Sequence, residues 1–400
     1  MNVLPYSLPD ELEAAINEVL TPSPLKRWAP RVARLSAQFT SNRPGRPRDY
    51  FESEELRAAY IAYFLRANFN KLEAVLDEMK PLLEEQLRRP GGLRVLDVGS
   101  GPGTMTLSAL YYLRRLEAPG PHHFLAVDAS AKILQECRRL FEAFRNLLGT
   151  PPAQAVLETQ AHQVRQVVQS WRPPRSAPPD FDLILLGNVW NEMVEDGTAP
   201  DSAEFLASLA ARLHPTGAMI FIEPALRESS RALHRLHDVV LENVPPLNVF
   251  APCVHQQKCP CVAAGNEKDW CHAEHAWHPG ETVRGLDRLL GLRKDALKFS
   301  YLVLRKDGKN ILDLRRSSGA PAAPSASWRV VSERLTEKGK QRAFLCGQRG
   351  RLQFTRLNRH STEGNAEFGR LERGDLVTLT GTEEKPGEIR VVEQAVVKKL

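Results

Sequence analysis

The sequence predicts an α/β protein centred on a doubly wound, mainly parallel sheet, with a helical region before it and an antiparallel β extension after it. Three observations carry that prediction. From Leu93 onwards, buried-strand patterns such as LRVLDVG, HFLAVD and FDLILLGN alternate with helical stretches. The glycines of VLDVGSGPGTMT fall where the first of these strands gives way to its helix. Beyond Gly319, short β-branched runs separated by Gly, Asn and charged residues replace the alternation.

Taken in order, Ser7 to Leu20 reads as a helix with Ser7 as N-cap and Pro9, Asp10 and Glu11 in its first turn. Leu56, Tyr60, Tyr63 and Phe64, then Phe69, Leu72, Val75, Leu76, Met79, Leu82 and Leu83, recur at helical spacing. They predict a helical hairpin or one bent helix over Ser53–Arg89, interrupted near Asn68–Asn70. Pro90, Gly91 and Gly92 end it. Helices are expected over Thr104–Leu116 and Ser130–Leu148, after the first two strands. Ala153–Trp171 reads as helix rather than strand, so the third strand stays unplaced. Past the proline-rich loop PPRSAPPD come FDLILLGN, a helix over Ser202–Leu213 and the strand GAMIFIEP; KFSYLVLRK, Lys298–Lys306, is a further strand. Gly319–Ser327 has linker composition. WRVVSERL, QRAFLC, RLQFTRLN, DLVTLTG and IRVVEQAVV then suggest an antiparallel tail or small barrel.

A chain of 400 residues has room for two or three domains. The segments are 1–90, helical with a basic arm; 91–318, the α/β core including a cysteine loop at 251–278; and 328–400, the basic β extension. No stretch reaches the roughly 18 apolar residues of a membrane span. The opening carries Asp10, Glu11, Glu13 and Glu18, unlike a signal or transit peptide, so the chain reads as cytoplasmic with no membrane partner. In a reducing compartment, clustered cysteines point to metal binding or catalysis rather than to disulfides.

The net charge is +6, and Trp328–Leu400, with fifteen Lys and Arg against ten Asp and Glu, carries +5 of it. Lys338, Lys340, Arg342, Arg349, Arg351, Arg356 and Arg359 follow one another without an intervening acid. So do Lys26, Arg27, Arg31, Arg34, Arg43, Arg46 and Arg48, interleaved with Trp28 and Phe39. Such runs suit a nucleic-acid backbone, with aromatics free to stack on bases; the alternative is a solvated face.

In the glycine loop, Gly99, Gly101 and Gly103 form G-x-G-x-G with Asp97 two residues ahead, which is neither the dinucleotide spacing nor a Walker motif. It resembles motif I of class I methyltransferases, which bind S-adenosylmethionine. Asp128, ending the next strand, is placed to take ribose hydroxyls, and Asn188 ends the fourth strand beside the expected cofactor. Asn188-Val189-Trp190-Asn191 stands where base-amino methylases carry a D/N-P-P-Y tetrapeptide. Cys137 is the one cysteine in the core, on a helix expected to pack away from the site, and no catalytic residue can be named.

Cys253, Cys259, Cys261 and Cys271 lie in one short segment flanked by His255, His272, His275 and His278. Thiolates at this density suit zinc or an iron–sulfur cluster, and spacing alone leaves the metal open. The glycine loop, the IEP after the fifth strand, A-P-C-x5-C-P, W-C-H, KFSYLVLRK, and a late LCGQRG followed by GDL together resemble the methyltransferase-like family associated with the small ribosomal subunit. The resemblance runs from about Arg48 to Leu376. It implies service in small-subunit assembly and a four-iron four-sulfur cluster, with zinc as the runner-up. The implied ligands are Cys253, Cys259, Cys271 and Cys346. Cys261 is additional: in an extended C-P-C, two neighbouring thiolates would crowd one cluster. The function expected is a small-subunit assembly factor binding rRNA and S-adenosylmethionine. Whether it methylates rRNA or only clamps it stays open, as does a zinc-bearing methyltransferase acting on protein or a small molecule.

Overall fold

The computed structural model describes residues 5–21, 23–40, 50–149, 154–163, 181–195, 201–315, 326–385 and 388–400. Arg43, Arg46 and Arg48, the PPRSAPPD loop and most of the expected linker lie outside them. Along the chain come β1 (Tyr6–Ser7), α1 (Asp10–Val19), α2 (Leu25–Thr40), α3 (Glu54–Ala59), α4 (Arg66–Glu78), α5 (Lys80–Leu87), β2 (Arg94–Val98), α6 (Thr104–Arg115), β3 (His123–Asp128) and α7 (Ala131–Leu148). Next are β4 (Val156–Ala161), β5 (Phe181–Gly187), α8 (Trp190–Glu195), α9 (Ser202–Ala210), β6 (Leu213–Pro224), α10 (Arg227–Asn243), β7 (Asn248–Ala251), β8 (Ala273–His278), α11 (Glu281–Leu290), β9 (Ala296–Arg305) and α12 (Ile311–Arg315). The last are β10 (Ser327–Val330), β11 (Leu335–Glu337), β12 (Lys340–Gly347), β13 (Gly350–Leu357), β14 (Leu376–Thr380), β15 (Glu383–Lys385), β16 (Glu388–Val391) and β17 (Val396–Lys399). They form two compact units, Met1–Glu223 with His275–Lys298, and Pro224–Glu274 with Phe299–Leu400. The units cut across the linear segments: the chain from Pro224 to Glu274, with all four cysteines of the loop, groups with the β extension and not with the core.

In the first unit, β4-β3-β2-β5-β6 run parallel in that order. The chain winds outward from β2 to β4 and then returns to the other side of β2 with β5. That reversal opens a crevice at the carboxyl ends of β2 and β5, where ligands of doubly wound sheets bind. The strands nearest it are buried along nearly their whole length, Val95, Leu96, Ile184 and Leu185 being at most 1% exposed. Such near-continuous apolar runs are what a sheet covered on both faces demands.

Helix α1 starts at Asp10 with Pro9 as its N-cap, a correction to Ser7. Tyr6 and Ser7 instead pair in parallel with Trp277 and His278, so a long-range ladder takes the residue that local capping rules had claimed. Ser53 caps α3, its hydroxyl accepting from the Leu56 N–H at 3.4 Å. The expected long helix is α3, a π-helical turn over Tyr60–Leu65, then α4 and α5, with the break at Met79 rather than near Asn68–Asn70. The π turn places Tyr60 against Phe39, Tyr50, Phe51 and Phe64. Phe39 thus packs within an aromatic cluster of the protein.

The helix expected over Ala153–Trp171 is also corrected, because Val156–Ala161 is strand β4. Glu, Gln and Ala favour helix locally. Pairing with β3 along the whole segment supplies the backbone partners that override this preference at a half-exposed edge.

In the second unit, β7 pairs antiparallel with β9. A separate sheet runs β15-β16-β13-β12-β10-β14-β17, with β11 alongside β12. It is antiparallel as expected, apart from the parallel pair β13–β16. Trp328, Leu345, Phe354, Phe368 and Val377 form its core, each at most 3% exposed.

Candidate functional site

The glycine loop lies at the crevice of the first unit. Gly99 and Gly103 both have positive φ, +69° and +86°, and both are closely approached. A Cβ on Gly99 would lie 2.2 Å from Val189 Cγ2, in the connection after β5, and one on Gly103 would lie 2.7 Å from Cys137 Sγ. Cys137 therefore packs against the loop, which corrects the expectation that its helix faces away. Burial first, then the carboxylates of Asp97 and Asp128, pushes its thiol far up, so it is no thiolate nucleophile.

Asp97, 1% exposed, accepts from the Thr106 N–H at 3.0 Å and the Thr106 hydroxyl at 2.7 Å through Oδ2, capping the first turn of α6. Its Oδ1 is buried without a partner. Burial raises the carboxyl to about 7 against those two bonds. Asp128 accepts the Gly101 N–H through Oδ2 and the Ser130 N–H through Oδ1, both at 2.9 Å. It holds the loop's shape before it holds any ligand. Burial raises its carboxyl too, opposed by the bonds from Ser130 and Gly101.

Asn188 has φ +59° and donates its N–H to Ile222 O at 2.8 Å. Two residues on, the Trp190 N–H donates to Glu223 Oε1 at 2.9 Å, so the IEP glutamate fixes the start of α8. The six residues picked from sequence thus gather around one crevice. The donor set fits S-adenosylmethionine: left-handed glycines at a helix N-terminus for a carboxylate, and an unsatisfied buried carboxylate oxygen for an ammonium.

Sequence reasoning missed Lys71 in the same unit. It is buried on α4, makes no ion pair among the described residues, and is depressed to about 7 by burial and by Lys294, with Glu223 opposing. A lysine among apolar helix positions leaves no trace in a periodicity.

The second centre lies wholly in the second unit, where Cys253, Cys259, Cys261, Cys271 and Cys346 all line one cavity. Helix α10 contributes His234 and His237, and the segment after β7 contributes Cys253, His255 and Cys259. Asp238 accepts the Cys259 N–H at 2.7 Å and bonds His237 Nδ1 at 2.8 Å, tying the loop to α10. Ser300 donates to Cys271 O at 2.8 Å, and Asn310 to Cys253 O at 3.0 Å. Cys346 comes from β12, its Sγ lying 3.4 Å from His255 Nε2.

Cys346 thus joins three loop cysteines, as the resemblance implies, but Cys261 is there too. The crowding argument against Cys261 assumed an extended C-P-C. Pro260–Val262 is instead a 3₁₀ turn with Cys259 as its N-cap, which brings the Cys259 and Cys261 thiols within 4.8 Å of each other. Among the described residues, His234, Cys259 and Cys261 bring three ligand atoms within 4.8 Å of one another. All the cysteines are free. Burial pushes the Cys271 thiol up to about 12 and Cys346 well above its usual range. Five thiols in one buried pocket fit a soft metal centre, whose charge offsets the desolvation of thiolates. His234 escaped the sequence reading; the His-x-x-His of 234–237, one helical turn apart, was the available signal.

The second basic run looks different once folded. Lys340 pairs with Glu337 at 3.2 Å, Arg349 with Glu384 at 2.7 Å and Arg351 with Asp269 at 2.8 Å, while Arg342 also pairs with Glu337. Arg356 is buried and donates to Asn365 O and Gln341 Oε1. A run without acids in sequence is mostly neutralised by acids brought from elsewhere.

The profile of a family described as "Mitochondrial small ribosomal subunit Rsm22" matches residues 54–376. The chain belongs to the Rsm22 family. A search of curated proteins returns no match. Among solved structures, TrmN from Thermus thermophilus is similar at 19% identity and TM-score 0.32, over 57% of this chain and 47% of that one. The chain therefore spans about half of TrmN. A SAM-dependent methyltransferase from Agrobacterium tumefaciens is similar at 14% identity and TM-score 0.34, over 59% and 62% of the two chains. A putative RNA methyltransferase, PH1948, from Pyrococcus horikoshii is similar at 10% identity and TM-score 0.32, over 66% and 91%. This member's class I methyltransferase fold rests on its strand order and glycine loop. Among its described residues no helix is long and apolar enough to cross a membrane.

Proposed function

We propose that this Rsm22-family protein is a small ribosomal subunit assembly factor that binds rRNA and S-adenosylmethionine and carries a four-iron four-sulfur cluster. The observation that carries the proposal is the gathering of all five cysteines of the second unit around one buried cavity, in a chain whose family is that of the small subunit. Cys253, Cys259, Cys271 and Cys346 would hold the cluster, with Cys261 beside them, and zinc is the competing occupant. The cluster would supply a fixed charge cross-linking loop and β extension, so that binding becomes folding energy. Free thiols of this number suit a reducing compartment, and cytoplasmic work is proposed.

In the first unit Gly99, Gly101, Gly103 and Asp97 would hold the carboxylate and ammonium of S-adenosylmethionine, with Asp128 and Asn188 alongside. The bound cofactor supplies an electrophilic methyl group. Whether it is transferred is a second matter. Cys137 is buried and protonated, and the Asn188–Asn191 segment offers no base, which favours a binding role over turnover.

The test is sedimentation of the full chain on a lysate gradient, with iron and acid-labile sulfide assayed in anaerobically purified protein. Co-migration with small subunits and equal iron and sulfide are expected. One equivalent of zinc without sulfide overturns the cluster, and migration away from ribosomal particles overturns the assembly role.

A further inference from the structure

The rRNA reading leaves open which surface meets the phosphates, and the β extension, the more basic part by sequence, has most of its cations engaged. The first unit differs. On α2, Lys26, Arg27 and Arg34 are exposed and have no carboxylate partner among the described residues; Arg31 alone pairs, with Glu55 at 2.6 Å. On α11, Arg284 and Arg288 are exposed, one turn apart, and likewise unpaired.

The two helices are in contact. A Cβ on Gly285 would sit 2.3 Å from Leu25 Cδ1, so glycine permits the close approach. Lys26 and Arg284 each directly follow or precede these touching residues in sequence. Beside α11 a groove of about 620 Å³ is lined by Arg284, Arg288, Arg293 and Lys294, with two acids, Asp287 and Asp295. Asp295 pairs with Arg293 at 2.6 Å, and Asp287, which is buried, accepts from the Tyr63 hydroxyl and the Lys294 backbone N–H and keeps its charge beside Lys294. Arg284 and Arg288 remain exposed without an ion-pair partner among the described residues, whereas burial lowers the Lys294 ammonium, which Asp287 supports.

The geometry points to the α2–α11 face and its groove as the docking surface for an RNA phosphate backbone, an inference that rests on the rRNA reading above. Charge complementarity selects this occupant. Five exposed cations, Lys26, Arg27, Arg34, Arg284 and Arg288, none in an ion pair among the described residues, are available to phosphates, and each contact releases counterions. An anionic lipid surface would need an apolar face beside the cations. On α2 the apolar residues Val32 and Leu35 are fully buried in the protein, and on α11 Leu289 is a single exposed leucine beside Arg288, not an apolar face.

The test measures binding of the full chain to a single-stranded fragment of small-subunit rRNA between 50 and 300 mM salt. Two variants are compared with the natural protein: Lys26→Gln/Arg27→Gln/Arg284→Gln/Arg288→Gln, and a tail control, Lys340→Gln/Arg349→Gln. All altered positions are at or near the surface, and unchanged melting midpoints verify folding. The helix variant should bind at least tenfold more weakly at 0.1 M salt, with a log–log salt slope shallower by about 3, at roughly 0.7 per lost contact. The tail control should keep the natural slope. If the tail control flattens the slope and the helix variant does not, this surface is wrong while the rRNA reading stands. If the natural protein shows no salt-dependent RNA binding, the rRNA reading itself falls. Equal binding to phosphatidylserine vesicles that RNA cannot displace also overturns the inference, in favour of lipid.

Discussion

His255 Nε2 lies 3.4 Å from Cys346 Sγ, joining residues 91 positions apart. The contact is the point at which the β extension closes over the cysteine loop. If the proposed cluster occupies the cavity, Cys346→Ser should remove the brown colour as fully as Cys253→Ser does, measured by absorbance near 400 nm together with iron content. Cys261→Ser should leave most of it. Colour lost with Cys261→Ser but kept with Cys346→Ser would transfer the ligand role to Cys261.

Gly99→Ala should abolish S-adenosylmethionine binding in calorimetry. The added methyl meets Val189 at 2.2 Å, and φ +69° adds about 1–2 kcal/mol of backbone strain. The clash pushes away the Val189 connection that leads into α8. Retained affinity would show that the loop does not hold the cofactor in this form.

Lys71 sets a pH dependence of stability. Its ammonium sits near 7 in the folded chain against about 10.4 when unfolded, so between those values the unfolded state binds more protons. Stability from this group therefore rises with pH from about 7 to 10.5, and below 7 the full penalty, on the order of 4 kcal/mol, is present. Lys71→Met should raise the melting midpoint at pH 7 and remove that rise. A midpoint that falls at pH 7 would mean the charge has a partner in solution.

Arg356→Ala should destabilise the second unit by about 2–4 kcal/mol, because Asn365 O and Gln341 Oε1 lose a charged donor in a buried setting. It should leave the salt slope of RNA binding untouched. Denaturant midpoints and the slope, measured on the same variant, separate the two roles; a shallower slope with unchanged stability would return Arg356 to the nucleic-acid surface.

The glycine-loop crevice was legible because its determinants are local. Gly99, Gly101 and Gly103 mark a strand-to-helix turn, and Asp97 and Asp128 each end or nearly end a strand, so five neighbouring residues in two short segments specify most of it. Cys253, Cys259 and Cys271 were equally plain, since thiols at this density within one loop have few other uses. His234 was not, because its meaning depends on α10 passing the loop.

What the sequence determined by itself was the alternation of strand and helix, the glycine turn and the thiol-rich loop: hydrophobic period and backbone sterics act over a few residues and are written in order along the chain. What only the tertiary structure decided was pairing. Ser7 became strand instead of cap and Val156–Ala161 became β4 because distant backbones supplied their hydrogen bonds. Arg349 and Arg351 lost their availability because Glu384 and Asp269 came to meet them. Charge and hydrogen bonding are satisfied in space, and a linear reading counts charges without seeing which are already neutralised.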